Sequence, residues 1–91
     1  MSEPGSEANF GVVGGRRRNT IAANSFDCVI GGGNNNSIAA DSFVAIIAGG
    51  VFNNIGTNSN YSAIGGGFNN NIAVDSAYAT IPGGDANSAT N

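Results

Sequence analysis

The stretch from 30 to 47 reads Ile30-Gly31-Gly32-Gly33-Asn34-Asn35-Asn36-Ser37-Ile38-Ala39-Ala40-Asp41-Ser42-Phe43-Val44-Ala45-Ile46-Ile47, and variants of that line recur at every seventeenth position. Val13, Ile30, Ile47, Ile64 and Ile81 keep the period without an insertion. So do Gly15, Gly32, Gly49, Gly66 and Gly83, and so do Asn19, Asn36, Asn53, Asn70 and Asn87. A unit this short cannot bury a core alone, so each repeat is one turn of a stack. The reading is all-β: a parallel β-solenoid (β-roll) of about five 17-residue coils. Function is then sought on the surface of a stack.

Two strands fit in each repeat. The first spans Phe26–Ile30, Phe43–Ile47, Asn60–Ile64 and Ala77–Ile81; the second spans Asn19–Ala22, Asn36–Ala39, Asn53–Gly56 and Asn70–Ala73. A Gly-Gly turn and an [ND]-Ser turn separate them, built from residues that adopt positive φ cheaply or bond their own backbone. Helix is excluded, because Gly every few residues costs about 1 kcal/mol each against Ala. Successive coils should rise about 4.8 Å, so five make a rod of roughly 24 Å.

Alternation along the first strand gives it two faces. One carries Cys28, Ala45, Ser62 and Ala79 followed by the Ile30 column. The other carries Asp27, Val44, Tyr61 and Tyr78, then Val29, Ile46, Ala63 and Thr80. Both are substantially apolar, whereas a thin two-strand coil has one interior. A partner subunit is the economical cover for the second face. The Asn19 column reads as a ladder, each amide bonding its neighbour or the turn backbone, and the Gly15 column as turn structure.

Composition narrows the function. The 91 residues hold 15 Gly, 10% charged residues and a net charge of −3, which offers nothing to nucleic acid or an acidic membrane. No apolar run reaches the roughly 18 residues needed to span a bilayer. Residues 1–9 read as a polar linker or partial repeat without signal-peptide character, and 10–91 as the solenoid. Without His, and with Cys28 alone, the chain has no catalytic triad, no disulfide and no ordinary zinc site. No metal or cofactor is expected. The Gly-rich turns lack the Lys-Ser/Thr of a phosphate loop.

Few candidate residues remain. Asp41 and Asp75 share a column two rungs apart, roughly 9.6 Å, near the top of the separation in inverting glycosidases. Both precede Ser in a turn, and Asx capping is the favoured reading. Arg16, Arg17 and Arg18 are the only basic residues; in a trimer they would form a girdle of nine positive charges, an anion or acidic-glycan contact or else a solvated turn. Tyr61 and Tyr78 stack in one column and Phe26 and Phe43 in another; the Tyr pair could hold a sugar or pack at a subunit contact. Asn35 and Asn60 sit in N-x-S sequons, which carry little weight in an Asn-rich chain.

Ile30-Gly31-Gly32-Gly33-Asn34-Asn35-Asn36-Ser37-Ile38-Ala39 and Tyr78-Ala79-Thr80-Ile81-Pro82-Gly83-Gly84 resemble the "ATIxGGxxNxAxG" repeats of trimeric fibrous surface proteins. Those include the YadA-like heads of trimeric autotransporter adhesins and related viral and phage attachment fibres. The resemblance covers residues 10 to 90, though the repeat here is longer than in the usual heads. It implies a left-handed β-roll, three chains about one axis, and a non-enzymatic adhesion or spacer role on a cell surface or virion. The implied partners are two further copies of the chain and host-surface or cell-wall carbohydrate, outside the cell. A chain that stops in mid-repeat reads as a fragment of a longer fibre protein. The motif is scaffold and assigns no ligand residue. An ice- or surface-binding solenoid is the alternative, but Thr20, Thr57, Thr80 and Thr90 fall in four different columns and form no array.

Overall fold

The computed structural model describes residues 18–90 and, as backbone, the strands at 3–4 and 12–13. It is all-β, with about four turns of a parallel β-solenoid. One sheet stacks β1 (Glu3–Pro4), β3 (Thr20–Ile21), β5 (Ser37–Ile38), β7 (Asn54–Ile55), β9 (Asn71–Ile72) and β11 (Ser88–Ala89). The other stacks β2 (Val12–Val13), β4 (Val29–Ile30), β6 (Ile46–Ile47), β8 (Ala63–Ile64) and β10 (Thr80–Ile81). Every pairing is parallel and joins residue i to i+17, as Ile30 to Ile47 and Ile38 to Ile55. The first sheet therefore gains a rung at Glu3–Pro4, inside the stretch read as linker.

The strands are two residues long, shorter than the four or five expected from alternation. Left-handed corners cut them. Among the described residues, 13 non-glycine positions have φ between 56° and 63°, in three columns: Arg18/Asn35/Phe52/Asn69/Ala86, Asn24/Asp41/Asn58/Asp75 and Asp27/Val44/Tyr61/Tyr78. The [ND]-Ser turn holds the second column, as expected. The third lies where alternation predicts strand, and the structure turns a corner there instead. Val44 is the clearest case, since a β-branched residue rarely takes this conformation.

Reversing the backbone at a corner reverses its hydrogen bonding. Strand N–H groups donate forward to the next coil, as Val29 N to Ala45 O at 3.0 Å and Thr20 N to Asn36 O at 2.9 Å. Corner N–H groups donate back to the previous one, as Val44 N to Phe26 O at 2.8 Å and Phe52 N to Asn34 O at 3.0 Å. Immediately after each corner the N–H points inside, where side chains must receive it. Asn36 N donates to Asn19 Oδ1 at 3.0 Å, Ser42 N to Ser25 Oγ at 3.3 Å, and Ala45 N to Cys28 Sγ at 3.4 Å. Three internal side-chain ladders follow, one behind each corner.

The Asn ladder closes most completely. The backbone N–H of Asn36, Asn53, Asn70 and Asn87 goes to the amide oxygen one coil back at 2.8–3.0 Å. Each Nδ2 of the same four donates to its own turn, at Gly32, Gly49, Gly66 or Gly83. For the first three it also reaches the next coil, at Gly50, Gly67 or Gly84. Between the ladders lies the apolar core, where the Ile30/Ile47/Ile64/Ile81 and Ile21/Ile38/Ile55/Ile72 columns meet with Cys28 and Ala45, all buried.

The glycine constraint sits one residue later than the repeat suggested. Gly50 has φ 95°, and a Cβ there would lie 2.2 Å from the Gly67 carbonyl oxygen and 2.6 Å from Asn53 Nδ2. A Cβ on Gly49 would meet nothing within 4 Å. Gly50→Ala should therefore cost about 3 kcal/mol or more, while Gly49→Ala should stay within about 1 kcal/mol, as read by urea unfolding.

The third ladder is incomplete and invites repair. Cys28 Sγ donates to Ser42 O at 2.7 Å and Ser62 Oγ to Ser76 O at 3.0 Å, but Ala45 between them has nothing to donate. Ala45→Ser would place a hydroxyl within reach of the Ser59 carbonyl and of Ser62 N. We expect it to raise the unfolding free energy by about 1 kcal/mol, checked by the shift in urea midpoint.

Candidate functional site

The described part measures 29 × 25 × 13 Å. The two sheets form its broad faces, and the turns between them form two edges. Sequence alternation decides what each face offers. Outward from the first sheet point Thr20, Ser37, Asn54, Asn71 and Ser88, a polar row in which Asn54 Nδ2 donates to Asn71 Oδ1 at 2.8 Å. Outward from the second point Val29, Ile46, Ala63 and Thr80, with Ile46 42% exposed. One broad face is polar and satisfied. The other is mostly apolar, with Val29 and Ala63 half-buried and Ile46 and Thr80 exposed.

Both edges carry aromatic rings. The turn entering the second sheet holds Phe26 over Phe43, parallel with centroids 5.3 Å apart. The next column there holds Tyr61 over Tyr78, 5.1 Å apart with planes 8° from parallel. Left-handed φ at Tyr61 and Tyr78 turns these side chains outward, and they are 54% and 76% exposed. The opposite edge, at the Gly-rich turn, carries Phe52 and Phe68 edge-to-face at 6.1 Å, each about half exposed. The structure thus brings Tyr61 and Tyr78 together. Stacking places one face of each ring against the other, which reduces what the pair offers a sugar ring. The Phe52–Phe68 pair escaped sequence reasoning because its members occupy adjacent columns, not one.

Of the arginines, Arg18 is an exposed corner residue with φ 58°. Arg16 and Arg17 lie outside the described residues, as does Gly15. The remaining Gly15-column and Asn19-column positions lie in the turn and its ladder, and those Asn side chains are committed to backbone groups. Asn19, Asn36, Asn53 and Asn70 are fully buried, so none can meet a ligand. The Ser25, Ser42, Ser59 and Ser76 column, read as part of an exposed turn, is buried as the second ladder.

Cys28 is buried, its thiol donating to a backbone carbonyl, and burial pushes that thiol above its ordinary range. A protonated, enclosed thiol is a structural group and a poor nucleophile. Asp41 and Asp75 are exposed corner residues in one column, with Asn58 between them donating from Nδ2 to Asp75 Oδ1 at 3.0 Å. Asx corners explain both. Among the described residues no three His, Cys, Asp or Glu side chains gather as a metal group, and no helix is long and apolar enough to cross a membrane.

Comparison with protein-family models, with curated proteins and with solved structures finds no match to this chain.

The alternation of Asn24, Asp41, Asn58 and Asp75 keeps carboxylates off adjacent rungs, where like charges would sit about 4.8 Å apart. Asn58→Asp would line up three of them and remove one amide donor. We expect a loss of about 1–2 kcal/mol at pH 7. Screening weakens repulsion between exposed charges, so the loss should shrink as salt is raised. Urea unfolding of both chains at low and at high salt checks it.

Proposed function

We propose that this chain is a non-enzymatic attachment or spacer module of a fibrous surface protein, built as three parallel left-handed solenoids of about five coils. The observation carrying the reading is the inequality of the broad faces. Val29, Ile46 and Ala63, flanked by Val44, Tyr61 and Tyr78, make a contiguous apolar strip, while the opposite face carries only hydroxyls and amides. Exposed apolar strips of this kind mark interaction surfaces. A second copy is the partner that the exact repeat favours, because parallel rods of equal rise keep contact rung after rung.

Several features support a display or spacing role over catalysis. Chemistry-bearing side chains are few, the buried polar groups are occupied by ladders, and the unbroken repeat spacing leaves no inserted loop to build a cleft. Extracellular attachment to a host-surface or cell-wall glycan extends the same reading from the repeat resemblance. Arg18 and the exposed aromatic edge are the places at which such a ligand would be sought.

Native mass by light scattering on a sizing column tests the assembly. The particle should have three times the 9.0 kDa mass of one chain. A 9.0 kDa species at micromolar concentration would overturn the trimer. It would favour the alternative of an ice- or surface-binding solenoid whose apolar face meets the surface.

A further inference from the structure

The rungs differ in what they offer the rung that follows. Five backbone N–H groups of a coil donate forward. In one coil they belong to Ile46, Ala48, Val51, Asn54 and Gly56, and in the next to Ala63, Gly65, Phe68, Asn71 and Ala73, at 2.7–3.0 Å. Seventeen residues further on, the same five columns hold Thr80, Pro82, Asp85, Ser88 and Thr90.

Proline has no N–H to give. Pro82 stands in the column where Gly31, Ala48 and Gly65 donate to the carbonyls of Ile47, Ile64 and Ile81 at 2.8–3.0 Å. A rung laid on it would lose that bond and bring its own carbonyl against a pyrrolidine ring. Two further columns change at the same level. Asn34, Val51, Phe68 and Asp85 pair in parallel, so a carboxylate follows two apolar side chains, and a rung above would strip water from it. The core column of Ile21, Ile38, Ile55 and Ile72 passes to Ala89, which leaves an isoleucine on a further rung less to pack against. Proline and charge are the means by which sheet edges resist an added strand. The asparagine column is unchanged, since Asn87 N still donates to Asn70 Oδ1 at 2.8 Å. The departures lie in the columns beside the ladder.

We infer that the coil at 77–90 is a built stop. It completes the stack before it and rejects a further rung in the same register, whether that rung belongs to a second copy placed end to end or to chain beyond Asn91. The rod then has a set length and does not grow into a filament. One chain or three would stop at the same rung, so the assembly proposed above is not involved.

The test adds a copy of residues Asn58–Val74 after Asn91, which continues the period without an insertion. In the native stack that coil already rests on Ala48, Val51 and Ile55. Pro82→Ala, Asp85→Val and Ala89→Ile together give the 77–90 coil the same surface. Amide hydrogen exchange followed by NMR reads the added coil. Behind the unaltered rung its amides should exchange as in an unfolded chain. Behind the triple variant they should slow by about tenfold or more. Protection retained within residues 20–73 shows that the stack itself is folded. Equal protection of the added coil in both chains would overturn the stop, and so would an added coil unprotected in both. Where the triple variant unfolds, Pro82→Ala alone on the extended chain decides: an added coil that gains no protection overturns the inference.

Discussion

Everything in this fold answers one constraint: the backbone N–H that points inward after each left-handed corner must find an acceptor. So short a coil closes only by turning sharply, and three columns of non-glycine residues in the left-handed region do the turning. Each such residue is unfavourable by about 1 kcal/mol. The corner's own N–H reaches back one coil, so the following N–H has no backbone partner and would be a buried orphan. Asn and Ser fill two of those columns throughout, while in the third Cys28 and Ser62 alternate with Ala45 and Ala79, which offer no acceptor. The side chain that satisfies one coil belongs to the coil before it. Stability is therefore a property of neighbours, and a single coil has none.

The same arrangement explains why the interior is uninformative about function. Side chains that could touch a ligand elsewhere are buried here and bonded on every side. The asparagine column is the clearest example, since each amide bridges two coils. What is left to interact is the outer surface, and its two broad faces differ sharply. Polar residues on the first sheet bond along the rod. Among the described residues, the apolar side chains of the second are half-buried at Val29 and Ala63 and exposed at Ile46, and rings stand on both edges beside them. That asymmetry is what turns a scaffold into a candidate for self-association.

The repeat made the stack, the two isoleucine columns and the asparagine ladder legible, because a strict period puts like residues in one column whatever the coil's shape. The corners were less legible. Asp27, Val44, Tyr61 and Tyr78 alternate correctly for a strand, and alternation cannot distinguish an extended residue from an outward-pointing corner. Serine at 42, 59 and 76 reads as turn because Asx-Ser is a turn signal. Nothing local reveals that its hydroxyl points inward. The glycine requirement was displaced by one position for a related reason: Gly49 and Gly50 look equivalent in sequence, and only the folded coil, through Gly50's positive φ and the approach of the next coil's carbonyl, separates them.

By itself, then, the sequence determined the architecture: parallel stacking at a fixed register around an isoleucine core. Periodicity specifies which residues share a column, and hydrophobicity specifies which columns turn inward. Tertiary structure decided where the chain bends, which polar columns are internal, and which aromatic rings pair at the turns. Those outcomes depend on the path of the backbone between columns, and that path is set by hydrogen bonds to the coils above and below.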